Sequence, residues 1–204
     1  NFPITLENNI AYSNGKLSDG YNADGNTGNG FKLGGEGLPV DHVVRGNLAF
    51  DNNMDGFTDN FNPGRLTLTN NTSIDNKRFN YLFRINPYFE PEEQGVFRAN
   101  LSVHTNEGLA DSISGDVDAT NFLRTATKTT NGEETVSQTE FISLDAPSGY
   151  ERGDDGELVW GDYTRPVTGS FLNTAGLDGG HVGALAGEVA PPEETSPPTE
   201  TESP

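Results

Sequence analysis

The sequence predicts an all-β chain wound as a parallel β-helix, a solenoid with an asparagine ladder and long loops. Three observations predict it. Short runs of alternating residues recur around asparagines, and 17 of the 22 asparagines fall within the first 86 residues. The 204-residue chain is 32% hydrophobic with 25 glycines, thin for a helical bundle and suited to a turn-rich β protein. No window sustains apolar residues at the 3.6 spacing of an amphipathic helix.

Taken in order, the repeats read ITLENNIAYSN at 4–14, HVVRGNLAFDN at 42–52 and LTLTNNTSIDN at 66–76, with a weaker copy, VFRANLSVHT, at 96–105. Each sets an asparagine (Asn9, Asn47, Asn71, Asn100) at a bend between two alternating runs. The first three add a second asparagine five residues later, Asn14, Asn52 and Asn76. The anchors lie 38, 24 and 29 residues apart. A solenoid tolerates this irregularity, because short strands stack at about 4.8 Å per coil and insertions leave as loops. An antiparallel sandwich would leave the agreement of four copies to accident. Asparagines at equivalent bends can stack, each amide bonding the next coil. Ile10, Leu48 and Leu101 are expected to form one inward apolar stack, with Thr72 a polar exception. Tyr12, Phe50, Ile74 and Val103 are expected to form another.

Between the first two repeats, Asn29-Gly30-Phe31-Lys32-Leu33-Gly34-Gly35 sets one lysine between two large apolar residues, with glycines on both sides. Strand neighbours point to opposite faces, so an inward Phe31 and Leu33 put Lys32 on an outer surface. The glycines leave room for a close approach. Beyond residue 108 the repeat fades. Thr125 to Thr139 reads as a long polar loop, Phe141 to Asp145 as a strand, and Asp154 to Leu158 as a turn before a Gly-rich end. The β-helix is expected over 1–186. A Pro/Glu/Thr-rich linker or tail is expected over 187–204, a composition that cannot bury a core.

The net charge of −19 argues against nucleic acid and anionic membranes as partners. No cysteine is present, and no apolar run approaches the ~20 residues of a membrane span. A monomer is expected.

The order NNIAYSNG, GNGFKLGG, HVVRGNLAFDN, GFTDNFNPG and LTLTNNTSIDN resembles family 9 pectate lyases, with weaker agreement at DATNF, FISLD, DDGEL and SFL, over roughly residues 4–185. The resemblance implies a right-handed β-helix, secretion, and extracellular calcium-assisted β-elimination of polygalacturonate, an acidic polysaccharide. It also implies Lys32 as the catalytic base. Calcium would be held by aspartates on a preceding coil. The chain opens at Asn1 directly upstream of a strand-like run, so those ligands are expected upstream of residue 1. Residues 1–204 alone are then expected to cleave negligibly. Thr58 departs from the family pattern, which has aspartate after the phenylalanine. The base must be a neutral amine, which favours alkaline conditions, since a free lysine titrates near ~10.4.

Further candidates surround Lys32. His42 suits a turn or the substrate groove. Arg45 and Arg65 follow coil bends and could hold uronate carboxylates bidentately, or offset acidic neighbours on the surface. Asp59, Asn60 and Asn62, one coil beyond Lys32, are expected to face the sugar, the asparagines through its hydroxyls. The stretch Asp51 to Asp59 has the spacing of a calcium loop, but Asn52 and Phe57 belong to the coil repeat, so no metal is assigned there. Two functions are compatible with these residues: a pectate lyase, or a non-catalytic β-helix that binds carbohydrate or acts as an adhesin.

Overall fold

The computed structural model describes residues 2–187, apart from 24, 26, 36, 91, 92, 106 and 107. Its strands wind as a parallel β-helix with three stacked sheets. The first holds β1 (Thr5–Glu7), β4 (Val43–Arg45), β7 (Leu66–Thr69), β10 (Gly95–Arg98) and β13 (Asp116–Val117), in that order. The second holds β2 (Ile10–Tyr12), β5 (Leu48–Phe50), β8 (Thr72–Ile74) and β11 (Leu101–Val103). The third holds β3 (Phe31–Lys32), β6 (Phe57–Thr58), β9 (Tyr81–Phe83) and β12 (Ser112–Ile113). All pairings within these sheets are parallel, and the four repeats align in register, Ile10 on Leu48 on Thr72 on Leu101.

The bends explain why asparagine recurs. Asn8, Gly46, Asn70 and Ala99, each directly before an anchor asparagine, all have φ between 51° and 63°. Ser13, Asp51 and Asp75 repeat that left-handed conformation directly before Asn14, Asn52 and Asn76. A chain that turns this way strands backbone groups between coils, and a side-chain amide can satisfy both sides. Asn9 Nδ2 donates to Asn47 Oδ1 at 3.1 Å, Asn47 to Asn71 at 3.0 Å, Asn71 to Asn100 at 2.9 Å and Asn100 to Asn121 at 2.9 Å. A second ladder runs from Asn14 to Asn52 to Asn76 to Asn80, at 2.9, 2.8 and 3.0 Å.

The interior differs from expectation in one respect. The apolar stacks of Leu48 and Leu101, and of Phe50, Ile74 and Val103, form as registered but point outward from the coils. The residues that face inward from the second sheet are the small ones between them: Ala11 and Ala49 pack against the interior cluster of Phe31, Val44, Phe57, Leu68, Tyr81 and Phe97. The outward stacks are buried instead by the C-terminal segment, through Phe141, Tyr163, Leu172 and Val182. Thr72 is the docking point of that segment: its Oγ1 accepts from Ala184 N at 2.8 Å, and Gly183 N donates to Ala99 O at 2.8 Å. A polar residue in an apolar stack is therefore satisfied from outside the helix.

Two further expectations change. Thr125 to Thr139 is not simply a loop, because it contributes two strands of a small antiparallel sheet of β14 (Leu123–Arg124), β15 (Thr129–Thr130) and β16 (Thr135–Val136). Phe141 to Asp145 forms only isolated bridges, Phe141 to Pro166 and Ser143 to Tyr163. Of the expected tail, 188–204 lies outside the described residues.

Candidate active site

The third sheet builds the site. Phe31 and Leu33 are buried and Lys32 is exposed, as alternation requires. The rings of Phe31, Phe57 and Tyr81 stack at 4.7 and 5.1 Å between centroids, within 9° of parallel, and so lock the three coils in register. Lys32 then lies beside Thr58, which lies beside Leu82. Among the described residues the Lys32 side-chain amine has no hydrogen-bond or ion-pair partner, whereas Lys16 pairs with Asp51 and Lys77 donates to Asn53 Oδ1 at 3.0 Å.

The glycines around Lys32 serve the coil rather than a ligand. A Cβ on Gly30 would lie 2.6 Å from Gly56 O, and one on Gly34 would lie 2.4 Å from Asn62 Cβ. What approaches closely is the next coil.

Next to Thr58, Asp59 is buried, and Arg84 Nη1 donates to its Oδ1 at 2.5 Å. Burial holds the Asp59 carboxyl above the ordinary carboxylate range, and the Arg84 guanidinium offsets only part of that rise. Arg84 also lies over the Phe61 ring, 4.5 Å from its centroid. Asn60 Nδ2 donates to Gly34 O at 2.6 Å, tying this turn to the Lys32 coil. Lys32, Thr58, Asp59, Asn60 and Arg84 thus share one face of neighbouring coils.

The other expected residues lie elsewhere or are already engaged. Asn62 uses its whole amide on backbone: Oδ1 accepts from Val40 N and Gly64 N, and Nδ2 donates to Leu33 O and Val40 O. That leaves it nothing to offer a sugar hydroxyl. His42 Nδ1 accepts from Ile4 N at 3.2 Å, beside the first sheet. Arg45 ends β4 in that sheet and pairs with Glu7 at 2.8 Å. Arg65 pairs with Glu93 at 3.5 Å and lies over the Phe89 ring. Both arginines offset acidic neighbours. The aspartates of 51–59 also diverge: Asp51 pairs with Lys16, Asp55 with Arg78 and Asp59 with Arg84. Among the described residues no group of three or more His, Asp or Glu side chains could hold a metal ion.

The residue that sequence reasoning missed is Arg84. A signal existed: Asn62-Pro63 and Asn86-Pro87 repeat one turn, in which Asn62 Oδ1 accepts from Gly64 N at 2.8 Å and Asn86 Oδ1 from Tyr88 N at 3.0 Å. Aligned on that turn, Arg84 takes the place of Asn60.

A family model described as "Pel9A-like, right handed beta helix region" matches residues 1–106. The chain belongs to this Pel9A-like family. Among its relatives, a "Pectate disaccharide-lyase" of Dickeya chrysanthemi is 45% identical over 124 residues, covering 60% of this chain and 15% of that protein. A "Pectate lyase L" of Paenibacillus polymyxa is 42% identical over 184 residues, covering 89% of this chain and 38% of that protein. The crystal structure of pectate lyase Pel9A superposes with a TM-score of 0.69 at 29% identity, over 90% of this chain and 44% of that one. The chain therefore spans less than half the length of these Pel9A-like relatives, and the coils described above are a right-handed parallel β-helix.

Proposed function

We propose that this chain forms part of an extracellular pectate lyase that cleaves polygalacturonate by β-elimination, with Lys32 as the base. The observation that carries the reading is the partnerless, exposed amine of Lys32 between two buried apolar neighbours, on a face shared with Thr58 and Arg84. In the proposed step the neutral amine takes the proton from C5, α to the uronate carboxylate. The C–H electron pair forms the C4–C5 double bond, and the O4-linked sugar leaves with its bonding pair and is protonated by solvent. Calcium enters the proposal only as a carboxylate-neutralising cation. The described residues do not supply its ligands, and no step here depends on them.

The test is Lys32→Ala in the full-length protein of which this chain is proposed to be part. Formation of the unsaturated uronide, followed by its ultraviolet absorbance, should fall by about two to four orders of magnitude, the usual worth of a positioned base. Circular dichroism should stay native. Activity within tenfold of the unaltered protein, with a native spectrum, would rule out Lys32 as the base.

A further inference from the structure

We infer that Phe61, Tyr88 and Arg84 form a uronate-binding subsite beside Lys32, with a pyranose ring stacked on the aromatic face and its carboxylate held by the guanidinium. The inference rests on the reading of the chain as a polyuronate lyase and names how that site holds its substrate.

The first observation is strain without burial. Phe61 has φ 61° and Asn60 before it φ 44°, yet Phe61 is 66% exposed. A bulky residue in the left-handed region costs free energy that glycine would not. Burial does not offset that cost, because most of the ring meets solvent. Tyr88, on the equivalent turn one coil on, is 80% exposed. The two turns are joined, since Asn86 Nδ2 donates to Pro63 O at 2.6 Å. Between them lies a groove of about 260 Å³ lined by Asp59, Phe61, Arg84, Ile85 and Tyr88. Isolated exposed apolar residues are ordinary, but three around one groove form a patch.

The second observation is how Arg84 is held. Its Nη1 is fixed by Asp59, and among the described residues Nε and Nη2 have no hydrogen-bond partner. A guanidinium anchored at one corner presents its other donors in a fixed fork, the geometry that matches a carboxylate. It covers one face of Phe61 and leaves the rest of the ring exposed. The negative face of an aromatic ring attracts the C–H face of a sugar, and an adjacent cation selects sugars that carry a carboxylate. Continuity with Lys32 comes from Asn60, bonded to Gly34 O, and from Thr58, which lies beside Lys32 and 3.5 Å from Arg84 Nη1. An oligouronate lying across the coils meets Lys32 on one and this subsite on the next two.

The test titrates tetragalacturonate into full-length Lys32→Ala protein, which holds the ligand uncleaved, and adds Phe61→Gly to it. Affinity should fall about tenfold, the order of one lost stacking contact. The melting temperature should rise, because glycine adopts this φ without strain. Unchanged affinity, or a lower melting temperature, would show that Phe61 serves the fold and overturn the subsite. A second arm compares the free acid with its methyl ester. The Asp59→Asn/Arg84→Gln double variant, which leaves no charge unpaired, should lose the preference for the acid, and a preserved preference overturns the role of Arg84. Absence of tetragalacturonate binding by the Lys32→Ala protein itself would overturn the lyase reading together with the subsite. Strong binding there with no effect of Phe61→Gly overturns the subsite alone.

Discussion

The second and third sheets of this β-helix are made by the same coils, and their outer faces have opposite fates. On the second sheet the outward residues are Leu48, Phe50, Ile74, Leu101 and Val103, all buried by the C-terminal segment. On the third, Lys32 and Arg84 stay open to solvent in whole or part, although Thr58 and Leu82 beside Lys32 are buried. The difference leaves Lys32 accessible to a ligand, where the C-terminal segment closes off the outer residues of the second sheet.

Breaking what the two faces share should cost most. Asn71 accepts from Asn47 N and Nδ2 and donates to Val44 O and Asn100 Oδ1. Asn71→Leu strands partners on two neighbouring coils at about 1–3 kcal/mol for each group. Chemical denaturation should find the variant barely folded, and a loss under 1 kcal/mol would remove the ladder as a source of stability.

On the covered face alone, Phe50 stacks on Tyr12 at 5.0 Å and meets Tyr163 edge-on. Phe50→Ala should cost about 3–5 kcal/mol, as large-to-small changes in a core do. Its urea midpoint should drop accordingly, whereas a midpoint like that of a surface variant would mean that the C-terminal segment is not packed there.

A smaller, pH-dependent effect separates the interior from both faces. Asp111 turns its carboxylate inward, accepting from Tyr81 N at 2.9 Å and Arg124 N at 2.8 Å. Burial pushes its carboxyl up to about 6 from 3.8. The folded state therefore binds the proton more tightly than the unfolded state. The contribution of Asp111 to stability is greatest below pH 3.8 and declines as pH rises toward 6. Melts from pH 4 to pH 7 should show the stability of the unaltered protein falling relative to Asp111→Asn. A flat difference would place the carboxylate in water.

The smallest effect is expected on the open face. Lys32→Ala should change stability by less than about 0.5 kcal/mol, the range for surface substitutions without partners. A loss comparable with that of Phe50→Ala would mean that Lys32 is bound into the fold and would sharpen the contrast in the wrong direction.

The sequence by itself determined the coils. Its asparagines recur because the left-handed bends, two in each of the first three repeats and one in the fourth, need an amide at the same place, and that need is local and periodic. It also determined that Lys32 faces outward, since Phe31 and Leu33 flank it and strand alternation leaves no choice. Alternation could not decide which face of β2, β5, β8 and β11 meets the lumen. Both faces of β5, β8 and β11 are buried, one by the coil itself and one by a segment more than 90 residues further along the chain from Phe50. The row of small residues, Ala11, Ala49, Ser73 and Ser102, was the mark of the crowded interior. Arg84 is marked locally only by the Asn-Pro turn that aligns it with Asn60, and that turn says nothing of its partners. Its pairing with Asp59, its place over Phe61 and its nearness to Lys32 arise only when coils separated by loops of unequal length are stacked, because register is a property of the winding and not of any one strand.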